Sequence, residues 1–483
     1  MIRPAMSQLI SLFCLIFLFC WSITSAAEGV PRPKSQRPPN VIVVLADDLG
    51  GSDLACYGSD LHETPNLDKF AQGALKFRCA YASAPICSPT RASLMTGKHP
   101  ARLHMTIWYE GAKSSQNPVP DPKKKLVPPA AVSDLPLSEV TIAERLRDAG
   151  YLTALVGKWH LGDAAHYPET QGFDVNVGGT FWGAPATHFF PYRGAFGRDA
   201  EYRYVPHLEL GKPGEYLTDR LTDEAIRIME AAGDRPFFLY LAYHAVHTPV
   251  EGKPEHVEHF RQKMRPEYHH QNPDFAAMVY SMDENVGRLL RKLDDLHLAD
   301  DTIVLFTSDN GGFVNEFDGR QVTSNFPLRS GKGSLYEGGI RVPLIVRWPG
   351  VTRGGTECSE PVVTADFVPT LAAGLGLNVK ETLDGIDIAS LLADPSAKLA
   401  RDSLYFHYPH YYQTTTPVSA MRQREWKLLH YFEDDRCELY NLEEDPGESR
   451  DLSAAQPQRT ESMLQQLQKW RSEVGAQIPT RRG

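Results

Sequence analysis

Residues 40–50 read NVIVVLADDLG, an uninterrupted apolar run that ends in two aspartates and a glycine. Such a run predicts a strand that is buried on both faces, as the strands of a parallel sheet are. Residues 301–312, DTIVLFTSDNGG, repeat the pattern, and the chain has two further apolar runs: RPFFLYLAYHAVHTP at 235–249 and RVPLIVRWPG at 341–350. Together the runs predict one large sheet whose strand ends carry polar side chains.

Helical patterns separate these strands. Residues 141–151, TIAERLRDAGY, open with Thr141 and Glu144 at the spacing of a capping box and close at Gly150. Residues 275–296 form a long amphipathic pattern that leads into the second acidic strand. Alternating strands and helices predict an α/β fold, with a large, mostly parallel sheet flanked by helices.

The character of the sequence changes after about residue 400. Short, aromatic and partly alternating segments there predict an antiparallel sheet of hairpins, and one helix closes the chain. We therefore divide the folded part of the chain into a large domain at 40–399 and a smaller C-terminal subdomain at 400–483.

The net charge and the first residues of the sequence indicate an exported protein that does not bind nucleic acid. The 483 residues carry a formal net charge of -10 with scattered lysine and arginine, which argues against a nucleic-acid-binding protein. Residues 1–27 combine Arg3, an apolar run and small residues, as a signal peptide does, and a disordered leader is predicted at 28–39. We expect an exported protein, periplasmic or secreted, with no stable membrane insertion after cleavage; a retained anchor is the alternative.

The cysteine count points to one special thiol. Two of the seven cysteines lie in the predicted signal peptide, which leaves five. Thiols of exported proteins tend to pair, so an odd remainder predicts one unpaired residue, whose identity the count leaves open. The five are Cys56, Cys79, Cys87, Cys358 and Cys437.

Acidic and amide side chains end two of the predicted strands. Asp47 and Asp48 end the first, and Asp309 and Asn310 end the second. Ligands of open α/β sheets bind at the carboxyl ends of strands, and these four hard oxygen donors suit calcium or magnesium better than zinc. A single Asp-Asp pair is more often a turn or a helix cap, but two such strand ends favour a metal.

Residues 84–94, APICSPTRASL, predict the start of a helix that ends at Gly97. Ser88 is expected to cap this helix and Pro89 to occupy its first position, which places Cys87 at the positive helix end. Arg91 lies one turn further along. The pattern indicates an anion-binding, thiol-bearing helix start; a buried structural or disulfide cysteine is the alternative.

Further cationic groups fit the same site. Lys158 and His160 are two residues apart and would share one side of an extended segment. Lys332 lies in a glycine-rich stretch, where the backbone can approach a ligand closely. A cation-rich pocket around a metal suits a doubly charged tetrahedral ester.

Five sequence blocks together resemble the type I sulfatases, the formylglycine-dependent branch of the alkaline phosphatase superfamily. The resemblance runs from Asn40 to about Leu452. The blocks, in chain order, are CSPTRASLMTG at 87–97, GYLTALVGKWHLG at 150–162, TIVLFTSDNGG at 302–312, GKGSLYEGGIRVPLIVRWPG at 331–350 and ELYNLEEDPGE at 438–448.

The resemblance implies that a maturation enzyme oxidises Cys87 to Cα-formylglycine (3-oxoalanine). One hydroxyl of the hydrated aldehyde would attack sulfur, and loss of a proton from the other would expel sulfate. The family pattern implies one calcium ion per chain, with magnesium possible. Its ligands would be Asp47, Asp48, residue 87, Asp309 and Asn310.

The resemblance also implies roles for the cationic groups. Arg91 and Lys158 would hold the diol and the sulfate, and His160 would assist the second deprotonation. His247 and Lys332 would contact the sulfate and the leaving oxygen, one of them as the acid.

The four remaining cysteines could pair in three ways or stay free.

The substrate is expected to be an organic sulfate, with a sulfated glycan preferred over a small molecule. Candidate substrate-binding residues lie in aromatic and histidine-bearing loops: Tyr109, Trp182, His188, Arg193, His410 and Tyr411. Three alternatives stay open: a promiscuous arylsulfatase, a phosphatase or phosphonate hydrolase of the same superfamily, and a catalytically silent glycan-binding relative. The absence of any N-x-S/T sequon favours a bacterial origin.

Overall fold

The computed structural model describes residues 37–117, 121–197 and 200–482. The predicted signal peptide at 1–27 and most of the predicted leader at 28–39 therefore lie outside the described residues. Within the described part of the chain, every helix is too short or too polar to span a bilayer.

The strands form one large sheet and several small ones. In chain order they are β1 (Asn40–Ala46), β2 (Leu75–Tyr81), β3 (Leu126–Val127), β4 (Leu152–Gly157), β5 (Val175–Val177), β6 (Arg193–Phe196), β7 (Glu201–Tyr204), β8 (Phe237–Ala242), β9 (Thr302–Ser308), β10 (Glu316–Phe317), β11 (Arg320–Gln321), β12 (Arg341–Arg347), β13 (Thr356–Cys358), β14 (Val362–Val363), β15 (Ser403–Tyr408), β16 (Val418–Gln423), β17 (Trp426–Tyr431), β18 (Cys437–Asn441) and β19 (Thr480–Arg481).

The helices alternate with these strands. In chain order they are α1 (Pro65–Gln72), α2 (Cys87–Thr96), α3 (Pro100–Leu103), α4 (Tyr109–Ser115), α5 (Ile142–Asp148), α6 (Leu217–Ala231), α7 (Pro254–Lys263), α8 (Pro273–Asp295), α9 (Glu337–Ile340), α10 (Phe367–Leu375), α11 (Ala389–Ala393) and α12 (Pro457–Glu473).

The large sheet has the order β13-β2-β12-β9-β1-β8-β4-β5, and β14 pairs with β2. β1 lies at its centre and is parallel to both neighbours, β8 and β9. β12 is antiparallel to both β2 and β9, whereas the other pairs are parallel. The predicted mostly parallel α/β fold is confirmed.

The two faces of the sheet carry separate cores, because neighbouring side chains of a strand point to opposite faces. Val41, Val43 and Leu45 of β1 face a core that includes α2, α5 and α10. Ile42 and Val44 face a second core, formed with α1, α6 and α8. Helices on both faces explain why β1 reads as a continuous apolar run.

The C-terminal segment forms the predicted antiparallel sheet, in the order β15-β16-β17-β18. One face packs on α12, through Met463 and Leu467 among others. The other face packs on residues of the large domain, including Leu335 and Ile340. The small sheet therefore shares a core with the segment that carries Lys332.

Of the two predicted helix starts, the start of α5 is confirmed and the start of α2 is not. Thr141 and Glu144 form the predicted capping box at the start of α5. The prediction that Ser88 caps α2 is wrong, because the helix begins at Cys87 and Ile86 is its N-cap residue. The Ser88 hydroxyl instead donates to the carbonyl oxygen of His160 at 2.7 Å.

All five cysteines of the described residues are free thiols.

Candidate active site

Two neighbouring strands, β1 and β9, deliver polar side chains to one edge of the large sheet. β1 and β9 are paired with Ala46 opposite Ser308, so Asp47 and Asp309 leave the sheet side by side. The amide nitrogen of Asp48 donates to Asp309 Oδ1 at 3.2 Å, which ties the two strand ends together. All these carboxylates are buried.

Four side chains at this edge are close enough to share one ion. Asp47, Asp48, Cys87 and His247 each place one potential ligand atom within 4.8 Å of the others. Cys87 Sγ lies 3.5 Å from Asp47 Oδ1 and 3.9 Å from Asp48 Oδ1. Burial raises the pKa of Asp47 to about 7, although the neighbouring Lys158 acts to lower it.

The neighbouring donors fit a hard divalent cation. Asn310 Nδ2 donates to Asp48 Oδ1 at 2.8 Å, whereas Asn310 Oδ1 is buried and accepts no hydrogen bond from any described residue. Such an orphaned acceptor beside two carboxylates suits calcium or magnesium. Asp309, also predicted as a ligand, lies beside this group and accepts from Arg91 Nε at 2.8 Å through Oδ2.

Cys87 occupies the first position of α2, and every residue of this helix is buried. Burial raises the pKa of the Cys87 thiol well above its usual value, so the unmodified side chain is a poor nucleophile. Cys87 therefore lies at the positive end of a helix, beside carboxylates, as the sequence predicted.

Three buried cations surround residue 87. Lys158 Nζ lies 2.6 Å from Asp47 Oδ2, and Lys332 Nζ lies 2.8 Å from Asp48 Oδ2. Arg91 donates through Nη1 to the carbonyl oxygen of Lys158 at 2.9 Å, while its buried Nη2 has no hydrogen-bond partner among the described residues. This concentration of positive charge suits a dianionic tetrahedral group.

His247 and Lys332 form a hydrogen-bonded pair. Burial first, and then the nearby Lys332 ammonium, hold the pKa of His247 well below its usual value, so the ring is neutral. Its Nδ1–H donates to the carbonyl oxygen of Thr248 at 2.8 Å, which leaves Nε2 to accept from Lys332 Nζ at 3.0 Å. His244 is also buried, and neither ring nitrogen has a partner among the described residues.

Comparison with known proteins agrees with this geometry. A family model described as Sulfatase matches residues 39–377, well over half of the chain.

The chain belongs to the sulfatase family.

A second model, described as N-sulphoglucosamine sulphohydrolase, C-terminal, matches residues 331–474 of this sulfatase. Human arylsulfatase A is 33% identical over 92% of this chain and 89% of its own length. A sulfatase of Formosa agariphila is 32% identical over 89% of this chain and 87% of its own. The protein is thus a sulfuric ester hydrolase with the fold of the alkaline phosphatase superfamily.

Solved structures agree. The crystal structure of Ps i-CgsB in complex with k-i-k-neocarrahexaose is 31% identical and has a TM-score of 0.74, covering 90% of this sulfatase and 93% of that chain. The similarity therefore extends over the large domain and the C-terminal sheet together.

One residue of this sulfatase site was missed from the sequence. Glu110 of α4 accepts from His160 Nε2 at 2.9 Å through Oε2, while its Oε1 lies 3.3 Å from Arg203 Nη2. Burial lowers the pKa of His160 to about 4, so the ring is neutral and Glu110 selects the tautomer with the proton on Nε2. No local motif marks Glu110, because it is set against His160 only by the fold.

The predicted substrate-binding residues divide into two groups. Tyr109, Trp182 and His188 lie against the sulfatase site: the Tyr109 amide donates to Ser88 Oγ at 3.1 Å, and His188 Nε2 lies 3.2 Å from the carbonyl oxygen of His247. Trp182 adjoins Gly183, whose amide donates to Glu110 Oε1 at 3.2 Å.

The other three predicted substrate residues lie further out. His410 and Tyr411 line a cleft of about 480 Å³ together with Trp108 and Glu110. His410 is buried against Thr106, and the Tyr411 hydroxyl donates to Glu433 Oε1 at 2.6 Å. Arg193 is exposed at the start of β6.

Proposed function

We propose that this sulfatase releases inorganic sulfate from a sulfated carbohydrate, through a formylglycine at position 87 and one divalent metal ion. The observation that carries the proposal is the convergence of Arg91, Lys158 and Lys332 on residue 87, beside Asp47 and Asp48. Cations that converge at a buried helix start suit a sulfate, and the buried carboxylates suit the metal.

The proposed metal is calcium, with magnesium as the alternative. Asp47, Asp48, Asp309 and Asn310 would hold it, together with residue 87. When bound, the ion would polarise a sulfate oxygen and favour the ionised nucleophile. The buried, unpartnered Asn310 Oδ1 supports this assignment.

The roles of the remaining residues follow from their hydrogen bonds. Arg91 and Lys158 bind the sulfate and orient the hydrated side chain at position 87. His160, neutral and protonated on Nε2, has a free acceptor at Nδ1 and takes the proton that releases sulfate. Although burial alone would lower the pKa of Lys332, Asp48 holds it high, so Lys332 stays protonated and donates to His247; one of these two residues supplies the acid for the leaving oxygen.

A carbohydrate leaving group is supported by the surroundings of the site. Aromatic rings can stack on sugars, and Trp182 lies in a loop next to the catalytic residues. The similar Ps i-CgsB was crystallised with a neocarrahexaose. The second candidate is a promiscuous arylsulfatase, favoured by the similarity to arylsulfatase A.

Maturation and export belong to the same proposal. A formylglycine-generating enzyme would have to recognise CSPTR at 87–91 before the helix is buried, since every residue of α2 is inaccessible in the folded protein. We propose that residues 1–27 direct export and that the mature protein is periplasmic or secreted in a bacterium.

A substrate panel tests the proposed function. Sulfated mono- and oligosaccharides, including fragments of carrageenan, chondroitin sulfate and heparan sulfate, are assayed beside 4-nitrophenyl sulfate. We expect at least one sugar sulfate to exceed the aryl compound in kcat/KM, because remote sugar contacts lower the barrier of the chemical step. If none does, the carbohydrate assignment is wrong and the promiscuous arylsulfatase replaces it.

A further inference from the structure

A two-stranded hairpin stands beside the catalytic residues. β6 and β7 pair antiparallel, with Arg193 opposite Tyr204 and Ala195 opposite Tyr202. Its inner face is fixed to the site by Arg203, which is buried and lies 3.3 Å from Glu110 Oε1 and 3.3 Å from the carbonyl oxygen of Ala184. The hairpin is therefore anchored to the same carboxylate that holds His160.

The outer face of this hairpin is aromatic and exposed. The side chains of Tyr202 and Tyr204 are 59% and 47% exposed, among the most exposed large apolar side chains of the described residues. The centroid of the half-buried Trp182 ring lies 4.8 Å from the centroid of the Tyr204 ring. We call Trp182, Tyr202 and Tyr204 the aromatic platform. Exposed aromatic clusters of this kind usually mark a binding surface.

The platform is continuous with the catalytic site. Gly183, the neighbour of Trp182 in the chain, packs directly on the His160 ring: a Cβ at this position would lie 2.5 Å from His160 Cε1. Only glycine allows the loop to come this close. The loop that carries Trp182 therefore links the platform to the His160 ring.

We propose that the aromatic platform binds a sugar ring adjacent to the sulfated one, so that the substrate is a sulfated oligosaccharide rather than a monosaccharide. This inference rests on the proposed function. Pyranose rings present flat C–H faces that stack on aromatic rings, and phenol hydroxyls can bond sugar hydroxyls. Arg193 lies beside Tyr204 on the outer face, because side chains of directly paired residues share one face. Its charge complements an acidic group on the second sugar.

The test compares paired substrates of different length. Each active sulfated oligosaccharide is assayed beside its sulfated monosaccharide and 4-nitrophenyl sulfate, with wild-type protein, Tyr204→Ala and Tyr204→Phe. We expect the ratio of oligosaccharide to monosaccharide kcat/KM to fall roughly three- to tenfold in Tyr204→Ala. Tyr204→Phe, which keeps the ring, should restore most of the ratio. Leu210→Ala, at a position 86% exposed outside the hairpin, is the control and should leave the ratio at its wild-type value.

Each outcome decides the question. The platform proposal is overturned if the oligosaccharide-to-monosaccharide ratio of kcat/KM is near one for the wild-type protein, or if Tyr204→Ala leaves this ratio unchanged. The carbohydrate assignment survives either result. If Tyr204→Ala lowers kcat/KM equally on all three substrates, Tyr204 has a structural role, and the platform proposal is also overturned. If no sugar sulfate is cleaved while the aryl sulfate is, the proposed function itself fails and the platform falls with it. Concentration-dependent dimerisation that Tyr204→Ala abolishes would assign the surface to a second copy instead.

Discussion

At the scale of single residues, Glu110 decides the state of His160. Its carboxylate accepts from the His160 ring, from the Gly183 amide and from Arg203, so one side chain fixes the His160 ring, a loop and a hairpin. A ring held this way keeps its acceptor nitrogen in one orientation, which is what a proton-transfer group requires.

We therefore expect Glu110→Gln to lower kcat on 4-nitrophenyl sulfate by roughly ten- to a hundredfold, with a smaller change in KM. The neutral amide can present its N–H to His160 and so favour the wrong tautomer. Steady-state kinetics measures both constants. Glu201→Gln is the matched control, because Glu201 also pairs with Arg203, at 2.7 Å, and the structure records no contact between Glu201 and His160. Equal effects of both variants would contradict a specific role for Glu110.

Sequence patterns identified the strand-end carboxylates and the cations, because their positions follow from strand and helix ends. Glu110 escaped detection for a physical reason. It contacts His160, 50 residues further along the chain, and such a contact exists only after folding. The prediction that Ser88 caps α2 failed for a similar reason. The Ser88 hydroxyl donates to the carbonyl oxygen of His160, and this tertiary contact replaces the expected cap.

At the scale of elements, α2 carries residue 87, the proposed nucleophile, and is buried on every side. Its C-cap residue, Gly97, has a φ of 70°, and a Cβ there would lie 2.9 Å from the Val368 Cβ of α10. The end of the helix is thus fixed both by backbone conformation and by packing.

Gly97→Ala should destabilise the protein by about 1–3 kcal/mol, because it adds left-handed strain and a close contact. Urea denaturation followed by circular dichroism measures the free energy of unfolding. Gly376→Ala is the matched control: Gly376 caps α10 with a φ of 68°, and a Cβ there would meet nothing within 4 Å. A loss at Gly97 no larger than the loss at Gly376 would show that the packing contact contributes nothing.

The order of strands and helices was predictable because apolar runs and capping boxes are local. The direction of β12 was not. Its apolar run resembles those of β1 and β9, and burial on both faces produces the same pattern whichever way a strand runs. Direction is set by the connections and by the partners, which no single run encodes.

At the scale of the whole molecule, a buried charge cluster joins the C-terminal sheet to the active-site side of the large domain. Lys427 of β17 lies 2.9 Å from Glu337 Oε1 and 2.8 Å from Glu448 Oε1, and all three side chains are fully buried. Glu337 follows the segment that carries Lys332, and Thr414 Oγ1 donates to the carbonyl oxygen of Lys332 at 2.6 Å. The small sheet therefore helps to position Lys332.

Lys427→Met should destabilise the fold by about 3–5 kcal/mol, because it leaves the buried Glu448 without its cation and Glu337 with Arg341, 3.6 Å away, as its remaining partner. Burial raises the pKa of Glu448 to about 7, so this side chain is the easier one to neutralise. Adding Glu448→Gln to Lys427→Met should recover part of the loss, as measured by urea denaturation. If the single variant retains wild-type stability, the cluster does not join the two parts.

The chemical state of residue 87 is the most direct test of the catalytic account. Mass spectrometry of the peptide that carries this residue, from protein made beside a competent formylglycine-generating enzyme, should show formylglycine in place of cysteine. The modified fraction should rise in proportion to sulfate release, and Cys87→Ala should fold normally and release no sulfate. Unmodified cysteine in fully active protein, or wild-type turnover by Cys87→Ala, would contradict the account.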